Sequence, residues 1–314
     1  MIDSGILLSI GILVSFWTLF IFGIAAQAAE IESDPTEFNF AAVGDWACNS
    51  NTENTVKNIM GKKPELILAL GDLSYQRSGD CWFRIISPAD NITMITRGDH
   101  DNDFRMNQYM QHFSMLREFY SFNRQNMHFL VMSTETPYGL GSEQYQFVRS
   151  DLENASRDSN IHWIIITYHQ PAYTSPSNCK GCSPRVTLGE VYHPLFDKFG
   201  ADLVLQAHVH NYERTYPLQY NSNDSSKPII ADKNETNYNY THNSHGAIFA
   251  TVGTGGGDLN IFQARDPYVI KQYRGFGFLN VETINNVTRL NCTFYANDGT
   301  LADHFTIDKD LKYR

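Results

Sequence analysis

The sequence predicts an α/β fold with its reactive side chains gathered along one edge of the sheet. Three observations predict this. First, five short apolar runs read as buried strands, and each ends in a turn carrying an Asp or a His. Phe40-Ala41-Ala42 precedes Val43-Gly44-Asp45, and Leu66-Ile67-Leu68-Ala69-Leu70 precedes Gly71-Asp72-Leu73-Ser74-Tyr75. Ile92-Thr93-Met94-Ile95 precedes Arg97-Gly98-Asp99-His100-Asp101, Trp163-Ile164-Ile165-Ile166 precedes Tyr168-His169-Gln170-Pro171, and Leu203-Val204-Leu205 precedes Ala207-His208-Val209-His210. Second, a helical stretch between the first two runs makes a β-α-β unit, which implies parallel pairing and a right-handed crossover. Third, ligands of open α/β sheets bind outside the carboxyl ends of the strands, where all five turns fall. A lone Gly-Asp is usually only a turn, and a lone His at a strand end is usually a hydrogen-bonded surface residue. Five such ends in series are not accounted for as independent turns.

The elements follow in order. After an acidic tether from Glu30 to Glu37, the first strand is Phe38 to Val43. A helix is expected near Thr52 to Met60, ended by Gly61, and then a strand from Glu65 to Leu70. Ile92 to Thr96 is a strand. Asn102 to Phe119 reads as a helix with Phe104, Tyr109, Phe113 and Leu116 as its apolar stripe. His128 to Ser133 is a strand, and Ser142 opens a helix to about Arg157 that buries Phe147, Val148 and Leu152. His162 to Thr167 is a strand. Tyr173 to Pro184 is a loop rich in Ser, Pro, Asn, Gly and Cys, Glu190 to Phe199 a helix closed by Gly200, and Asp202 to Gln206 a strand. Leu218 to Ser244 is polar and Asn-rich, so it reads as a long exposed excursion. From Ala247 the pattern is all-β: Ile248 to Val252, Gly277 to Glu282, Arg289 to Tyr295 and His304 to Ile307. Gly253-Thr254-Gly255-Gly256-Gly257 could mimic a phosphate-cradling loop. It lacks the P-loop Lys-Ser/Thr and a following helix, and is taken as a tight turn near the site. No solenoid-length repeat and no domain boundary after the leader are visible.

The 314 residues can hold one large domain or two ordinary ones, and a formal charge of −10 argues against a nucleic-acid partner. An anionic substrate stays open, because a bound metal can dominate the local field. Gly5 to Ala26 is almost wholly apolar, and Ala26-Gln27-Ala28 fits a small-x-small cleavage site. The n-region lacks Lys and Arg and carries Asp3, and the run is long enough to span a bilayer. Residues 1–28 are therefore a signal peptide or an N-terminal membrane anchor, with possible attachment through residues 5–26. Either reading places the rest outside the cytoplasm, secreted or at the cell surface. Seven Asn-x-Ser/Thr acceptors agree with export: Asn91, Asn154, Asn223, Asn234, Asn239, Asn286 and Asn291.

The cysteines are Cys48, Cys81, Cys179, Cys182 and Cys292. In an oxidising compartment pairs are expected. Cys179-Lys180-Gly181-Cys182 fits a tight disulfide loop, a zinc half-site without its second Cys pair, or a redox motif without a thioredoxin context. Cys48 and Cys81 each follow a Gly-Asp turn on the same edge, which suits a bridge between them, with Cys292 left over.

The candidate metal ligands are Asp45, Asp72, Tyr75, Asp99, His169, His208 and His210. His208 and His210, two apart in extended chain, point the same way. Seven ligands exceed one tetrahedral zinc and suit two ions roughly 3.5–4 Å apart that share a bridging carboxylate. Asp72, on a central strand with Tyr75 close by, is the natural bridge. Two such cations hold the oxygens of a phosphate and acidify a trapped water, whose pKa a single zinc can bring to about 7. His100, beside Asp99, can donate to a phosphate oxygen or to the leaving group, with Asp101 to orient it. The alternative for His100 is a merely supporting residue.

The order Gly-Asp, Gly-Asp-x-x-Tyr, Gly-Asp-His-Asp, His and His-x-His resembles the calcineurin-like metallophosphoesterases. The Tyr in the second block resembles their purple acid phosphatase branch, which includes tartrate-resistant acid phosphatase. Val43-Gly44-Asp45-Trp46, Gly71-Asp72-Leu73-Ser74-Tyr75 and His208-Val209-His210-Asn211-Tyr212-Glu213-Arg214 carry the likeness, which covers roughly Phe38 to Ile307. The resemblance implies a four-layer α/β/β/α sandwich of two mixed β-sheets flanked by helices, forming a single catalytic domain over residues 38–308. It implies a ferric site of Asp45, Asp72, Tyr75 and His210 and a second site for divalent iron, zinc or manganese of Asp72, Asp99, His169 and His208. Tyr75 on Fe(III) would give a purple charge-transfer colour.

The chain departs from that family in three places. Asp99 stands where the family has Asn, Ala207 stands for the usual Gly, and the loop after the fourth block offers Lys180 and Arg185 in place of further His residues. The extra N-terminal domain of the plant enzymes is also missing from the pattern. The implied activity is an exported acid phosphatase that hydrolyses small phosphomonoesters by attack of a metal-bound hydroxide. The alternatives are a phosphodiesterase or nucleotidase on the same fold, or a catalytically weak surface binding protein.

Overall fold

The structure, a computed structural model, describes residues 37–235, 238–241, 246–284 and 288–309. The expected leader, most of the acidic tether and the acceptor Asn286 lie outside the described residues. No helix among the described residues is long and apolar enough to cross a membrane.

The chain begins with the β-α-β unit: β1 (Asn39–Val43), α1 (Ser50–Gly61) and β2 (Leu66–Ala69), with β1 and β2 parallel. The Asn49 side chain caps α1 by accepting from the amides of Asn51 and Thr52. Next come α2 (Asp80–Ile86), a 3₁₀ turn (Ser87–Ile92), β3 (Thr93–Ile95) and α3 (Asp103–His112). The hairpin β4 (Tyr120–Arg124) and β5 (Met127–Val131) leads to α4 (Glu143–Arg157), capped by Ser142, and to β6 (Trp163–Thr167). A π-helical turn (Leu188–Tyr192) runs into α5 (His193–Phe199), closed by Gly200 in the left-handed region, and then β7 (Leu203–Gln206). The remaining strands are β8 (Tyr212–Gln219), β9 (Ile229–Ile230), β10 (Asn239–Thr241), β11 (Ala247–Val252), β12 (Val269–Tyr273), β13 (Gly277–Ile284), β14 (Arg289–Ala296) and β15 (Leu301–Asp308).

These strands form two mixed sheets. The first runs β10-β15-β14-β13-β1-β2-β3, and the second β12-β8-β11-β7-β6-β5-β4, with β9 added to β8. Side-chain alternation shows how they stack. Phe129, Ile165, Leu203 and Leu205 of the second sheet pack into one core with Phe38, Phe40, Leu279 and Val281 from the first. Phe40 and Phe129 meet edge to face across it at 5.4 Å. The alternate residues Leu130, Ile164, Ile166 and Val204 face a separate core closed by Val148 and Leu152 of α4 and by Phe196 and Phe199 of α5. Val56 and Ile59 of α1 and Trp82, Ile85 and Ile86 of α2 cover the first sheet. The order is helices, sheet, sheet, helices.

Several elements differ from the sequence reading. α3 stops at His112, not Phe119, because Ser114 turns the chain with φ 53°. Tyr109 of the expected stripe is buried, but Phe104 and Leu116 are exposed. β4 went unread because it is an edge strand of sequence YSFNR, half-exposed and without apolar alternation. The expected excursion from Leu218 to Ser244 returns to the fold twice, through β9 on β8 and β10 on β15, and Tyr240 is buried.

Candidate metal centre

The five strand-end turns meet where the two sheets come together. β1, β2 and β3 of the first sheet deliver Asp45, Asp72 and Asp99, while β6 and β7 of the second deliver His169 and His208. The turns are tied to each other through their backbones. The amides of Asp45 and Trp46 donate to the carbonyls of Gly71 and Asp72, and the Ala207 amide donates to the His169 carbonyl. Ala207 is fully buried against Gly44, where an added Cβ would lie 2.7 Å from the Ala207 Cβ. The glycine at 44 thus makes room for the alanine at 207. Asp45, Asp72 and His208 all sit in the left-handed region, with φ of 61°, 51° and 69°. That conformation is uncommon for residues with a side chain and concentrates at functional sites.

Each histidine turns one nitrogen toward the carboxylates. His169 Nδ1 donates to the Leu70 carbonyl at 2.8 Å, which leaves Nε2 facing Asp99 Oδ1 at 3.1 Å and Asp72 Oδ2 at 3.4 Å. His210 Nδ1 donates to the Asp258 carbonyl at 2.8 Å, which leaves Nε2 facing the Tyr75 hydroxyl at 2.9 Å and Asp45 Oδ1 at 3.3 Å. His208 presents Nδ1 to Asp99 Oδ1 at 2.9 Å. The Tyr75 hydroxyl lies 3.3 Å from Asp45 Oδ1 and 3.2 Å from Asp72 Oδ2. Asp72, Asp99, His169 and His208 each place one ligand atom within 4.8 Å of the others, and Asp45, Tyr75 and His210 adjoin them around Asp72. A backbone carbonyl on the outer nitrogen is how metal-ligating histidines are commonly fixed in tautomer and orientation.

The electrostatics suit a cation. Burial by itself pushes the Asp45 carboxyl up, but the imidazoles of His210, His169 and His208 outweigh it and hold the group below its usual range. Burial likewise opposes ionisation of Asp99, and hydrogen bonds from His169 and His208 reverse it. Burial lowers both His169 and His210, but Asp72, then Asp99 and Asp45, raise His169 well above its ordinary value, and Asp45, with the Asp258 carbonyl and Asp72, raises His210 to about 9. Burial and then Asp45 and Asp72 push the Tyr75 phenol strongly upward. A cluster that draws protons onto His169 and His210 and holds a phenol against two carboxylates attracts positive charge. Deprotonation of Tyr75 there requires a cation.

Two of the sequence-predicted residues behave differently from the rest. His100 is exposed, its ring set edge to face on Tyr75 with centroids 5.0 Å apart, and its amide donates to Asp72 Oδ1 at 2.9 Å. Asp101 does not orient it. Asp101 is fully buried, and its two oxygens accept the amides of Leu73 at 3.0 Å and Gly98 at 2.9 Å, with no hydrogen bond to the His100 ring. Burial, then the charge of Asp72, pushes its carboxyl up to about 7. Asp101 therefore ties the second turn to the third. Arg97 and Arg105 clamp the third turn from outside, on the carbonyls of Asp101 and His100.

Sequence reasoning passed over the residues that hold His210. The Asn260 side chain accepts the His210 amide at 2.8 Å, and the Gly255 and Gly257 amides donate to the carbonyls of Gly44 and Asp45. The run of glycines was the available signal. A Cβ on Gly257 would stand 2.6 Å from His210 Cε1, and one on Gly253 would stand 2.6 Å from Asp45 Oδ2. Gly257→Ala is expected to displace His210 and weaken metal binding by about 10–100-fold, the usual cost of disturbing a ligand's support. Chelator titration of the metal-loaded protein measures it, and an unchanged affinity would refute the placement of His210.

Cys48 is bonded to Cys81 and Cys179 to Cys182, while Cys292 is buried and free. The Cys182 sulfur lies 3.7 Å from the His208 carbonyl, so that loop abuts the site. Arg185 is bonded to Gln170, next to His169, and Gln170 in turn to Glu135 at 2.6 Å, whereas Lys180 is exposed. Of the Asn acceptors, Asn91, Asn154 and Asn223 are exposed. Asn234, Asn239 and Asn291 are half-buried with their side chains hydrogen-bonded inside the fold.

The model of the calcineurin-like phosphoesterase family matches residues 38–212. Purple acid phosphatase 15 of Arabidopsis thaliana is 25% identical over 284 residues, covering 75% of this chain and 49% of its own length. The phosphoenolpyruvate phosphatase of Allium cepa is 25% identical over 307 residues, covering 87% of this chain and 60% of its own. Among solved structures, a purple acid phosphatase from yellow lupin (Lupinus luteus) seeds superposes with a TM-score of 0.73 at 23% identity, over 87% of this chain and 54% of that one. The chain thus spans about half to three fifths of the length of these proteins.

Proposed function

Because the chain belongs to the calcineurin-like phosphoesterase family, we propose that it is an exported, two-metal phosphatase acting on small phosphomonoesters. The observation that carries this reading is the set of imidazole nitrogens turned inward onto three carboxylates and a phenol, with two of the rings fixed by backbone carbonyls. One ion would be held by Asp45, Asp72, Tyr75 and His210, the other by Asp72, Asp99, His169 and His208, with Asp72 shared. When bound, a ferric ion and a divalent iron, zinc or manganese ion would offset charge on the phosphate oxygens and acidify a water between them. Asp45 and Asp72, almost wholly buried, form the floor of the cluster. His100, exposed beside the floor, would donate a proton to a phosphate oxygen or to the leaving alkoxide. Two disulfides and three exposed glycan acceptors support export.

Metal content by mass spectrometry, with hydrolysis of p-nitrophenyl phosphate, tests the reading. Two ions per chain, one of them iron, with turnover of the monoester is the expected result. Two ions without iron would keep the phosphoesterase and remove the role of Tyr75. No stoichiometric metal after reconstitution would overturn the proposal. Faster turnover of bis(p-nitrophenyl) phosphate than of the monoester would reassign the substrate to diesters.

A further inference from the structure

The three carboxylates of the site are not equivalent. The side chains of Asp45 and Asp72 are 0% and 1% exposed, whereas that of Asp99 is 29% exposed, next to the exposed His100. One oxygen of Asp99 faces both His169 and His208, at 3.1 Å and 2.9 Å, and no hydrogen bond among the described residues engages the other. Of the three carboxylates in the cluster, Asp99 is thus the one that reaches solvent. A neutral amide at this position could offer one oxygen to the same two histidines. The carboxylate adds a full negative charge on the solvent-facing side of the cluster.

We propose that Asp99 is a charge-selectivity residue, which biases the site toward phosphate esters bearing a single negative charge and against dianions. The substrates this favours are monoanionic monoesters under acid conditions and phosphodiesters. Product orthophosphate, when dianionic, is released more readily. The inference rests on the two-metal reading above. Whatever the ions, a carboxylate at 99 leaves the loaded site one positive charge poorer than an amide would. The interaction energy between Asp99 and a bound anion scales with the anion's charge, so its effect on a dianion's affinity is the square of its effect on a monoanion's.

Calorimetric titration of orthophosphate and of dimethyl phosphate into the metal-loaded protein and its Asp99→Asn and Asp99→Glu variants tests this. Metal content is measured on the same samples. At about pH 9, well above the second ionisation of orthophosphate, that anion carries two charges, whereas dimethyl phosphate, with a single ionisable group, carries one. Asp99→Asn should tighten orthophosphate by about tenfold and dimethyl phosphate by about threefold, while Asp99→Glu keeps the selectivity of the unaltered protein. Equal effects on the two anions, or none, with two ions retained would overturn the selectivity proposal and leave the two-metal reading intact. Loss of the second ion in Asp99→Asn alone would also overturn it, by making the residue a metal holder only. If the unaltered protein does not bind two ions, the reading beneath it falls as well.

Discussion

Asp72→Ala is expected to lower kcat/KM by on the order of 10³-fold or more and to empty both metal positions. One oxygen of Asp72 faces the Tyr75 hydroxyl at 3.2 Å and His169 at 3.4 Å, and the other accepts the His100 amide at 2.9 Å. Of the three carboxylates, it is the one that meets the Tyr75 hydroxyl on one side and a ring nitrogen of His169 on the other. On the two-metal reading, its removal would take a shared charge from both cations, whose electrostatic effect on the phosphate would be the largest contribution to catalysis. His208→Ala makes the contrasting case. Its Nδ1 meets only Asp99, so it should cost one ion and keep the other. Mass spectrometry of metal content separates the two patterns. Retention of two ions in Asp72→Ala would show that the carboxylate does not bridge.

Asp303→Ala is expected to destabilise the fold by about 3–5 kcal/mol, a fall in Tm of roughly 10 °C for a chain of this size. Arg214 of β8 is 0% exposed and bonds Asp303 of β15 through Nε at 2.6 Å and a terminal nitrogen at 3.1 Å. Tyr212 donates to the same carboxylate at 2.7 Å. β8 belongs to the second sheet and β15 to the first, so the pair joins the two sheets. Without Asp303 the guanidinium stays buried and uncompensated, which costs more than the intact pair contributes. Chemical denaturation measures the loss. Arg214→Met combined with Asp303→Leu should recover much of it, and a single-variant loss under about 1 kcal/mol would show that the pair is solvated.

These two experiments fall on opposite sides of what could be read in advance. Asp72 stands out in the sequence because an apolar strand ends in Gly71-Asp72 and a tyrosine follows three residues later. Arg214 and Asp303 do not stand out. Tyr212–Gln219 carries Glu213, Arg214 and Thr215 in a strand buried along nearly its whole length, a composition that argues against a core strand by itself. Its polar groups are satisfied by Ser175 and Gln272 for Glu213 and by Asp303 for Arg214, partners distant in the chain. The edge strand β4 escaped for a simpler reason, since half-exposed YSFNR has no alternation to detect.

Asp101 shows the limit within the site itself. Its place beside His100 suggests a residue that orients that ring, yet the turn directs its carboxylate inward onto the amides of Leu73 and Gly98. Side-chain direction in a tight turn depends on backbone angles that neighbouring residue identities do not fix. The glycine run near Gly257 was visible as a turn, but its purpose, to bring the Asp258 carbonyl to His210 and two amides to the carbonyls of Gly44 and Asp45, required the packed loop.

The α/β class, the five strand ends, the residue types they carry and the family likeness could all be read along the chain. These are local properties, set by hydrophobic period and turn chemistry over a few residues. The tertiary structure alone decided the nitrogen each histidine turns inward, the exposure that separates Asp99 from the two buried carboxylates, and the inter-sheet pair of Arg214 and Asp303. Each of those depends on contacts between segments far apart in the chain, which exist only once the two sheets have closed on each other.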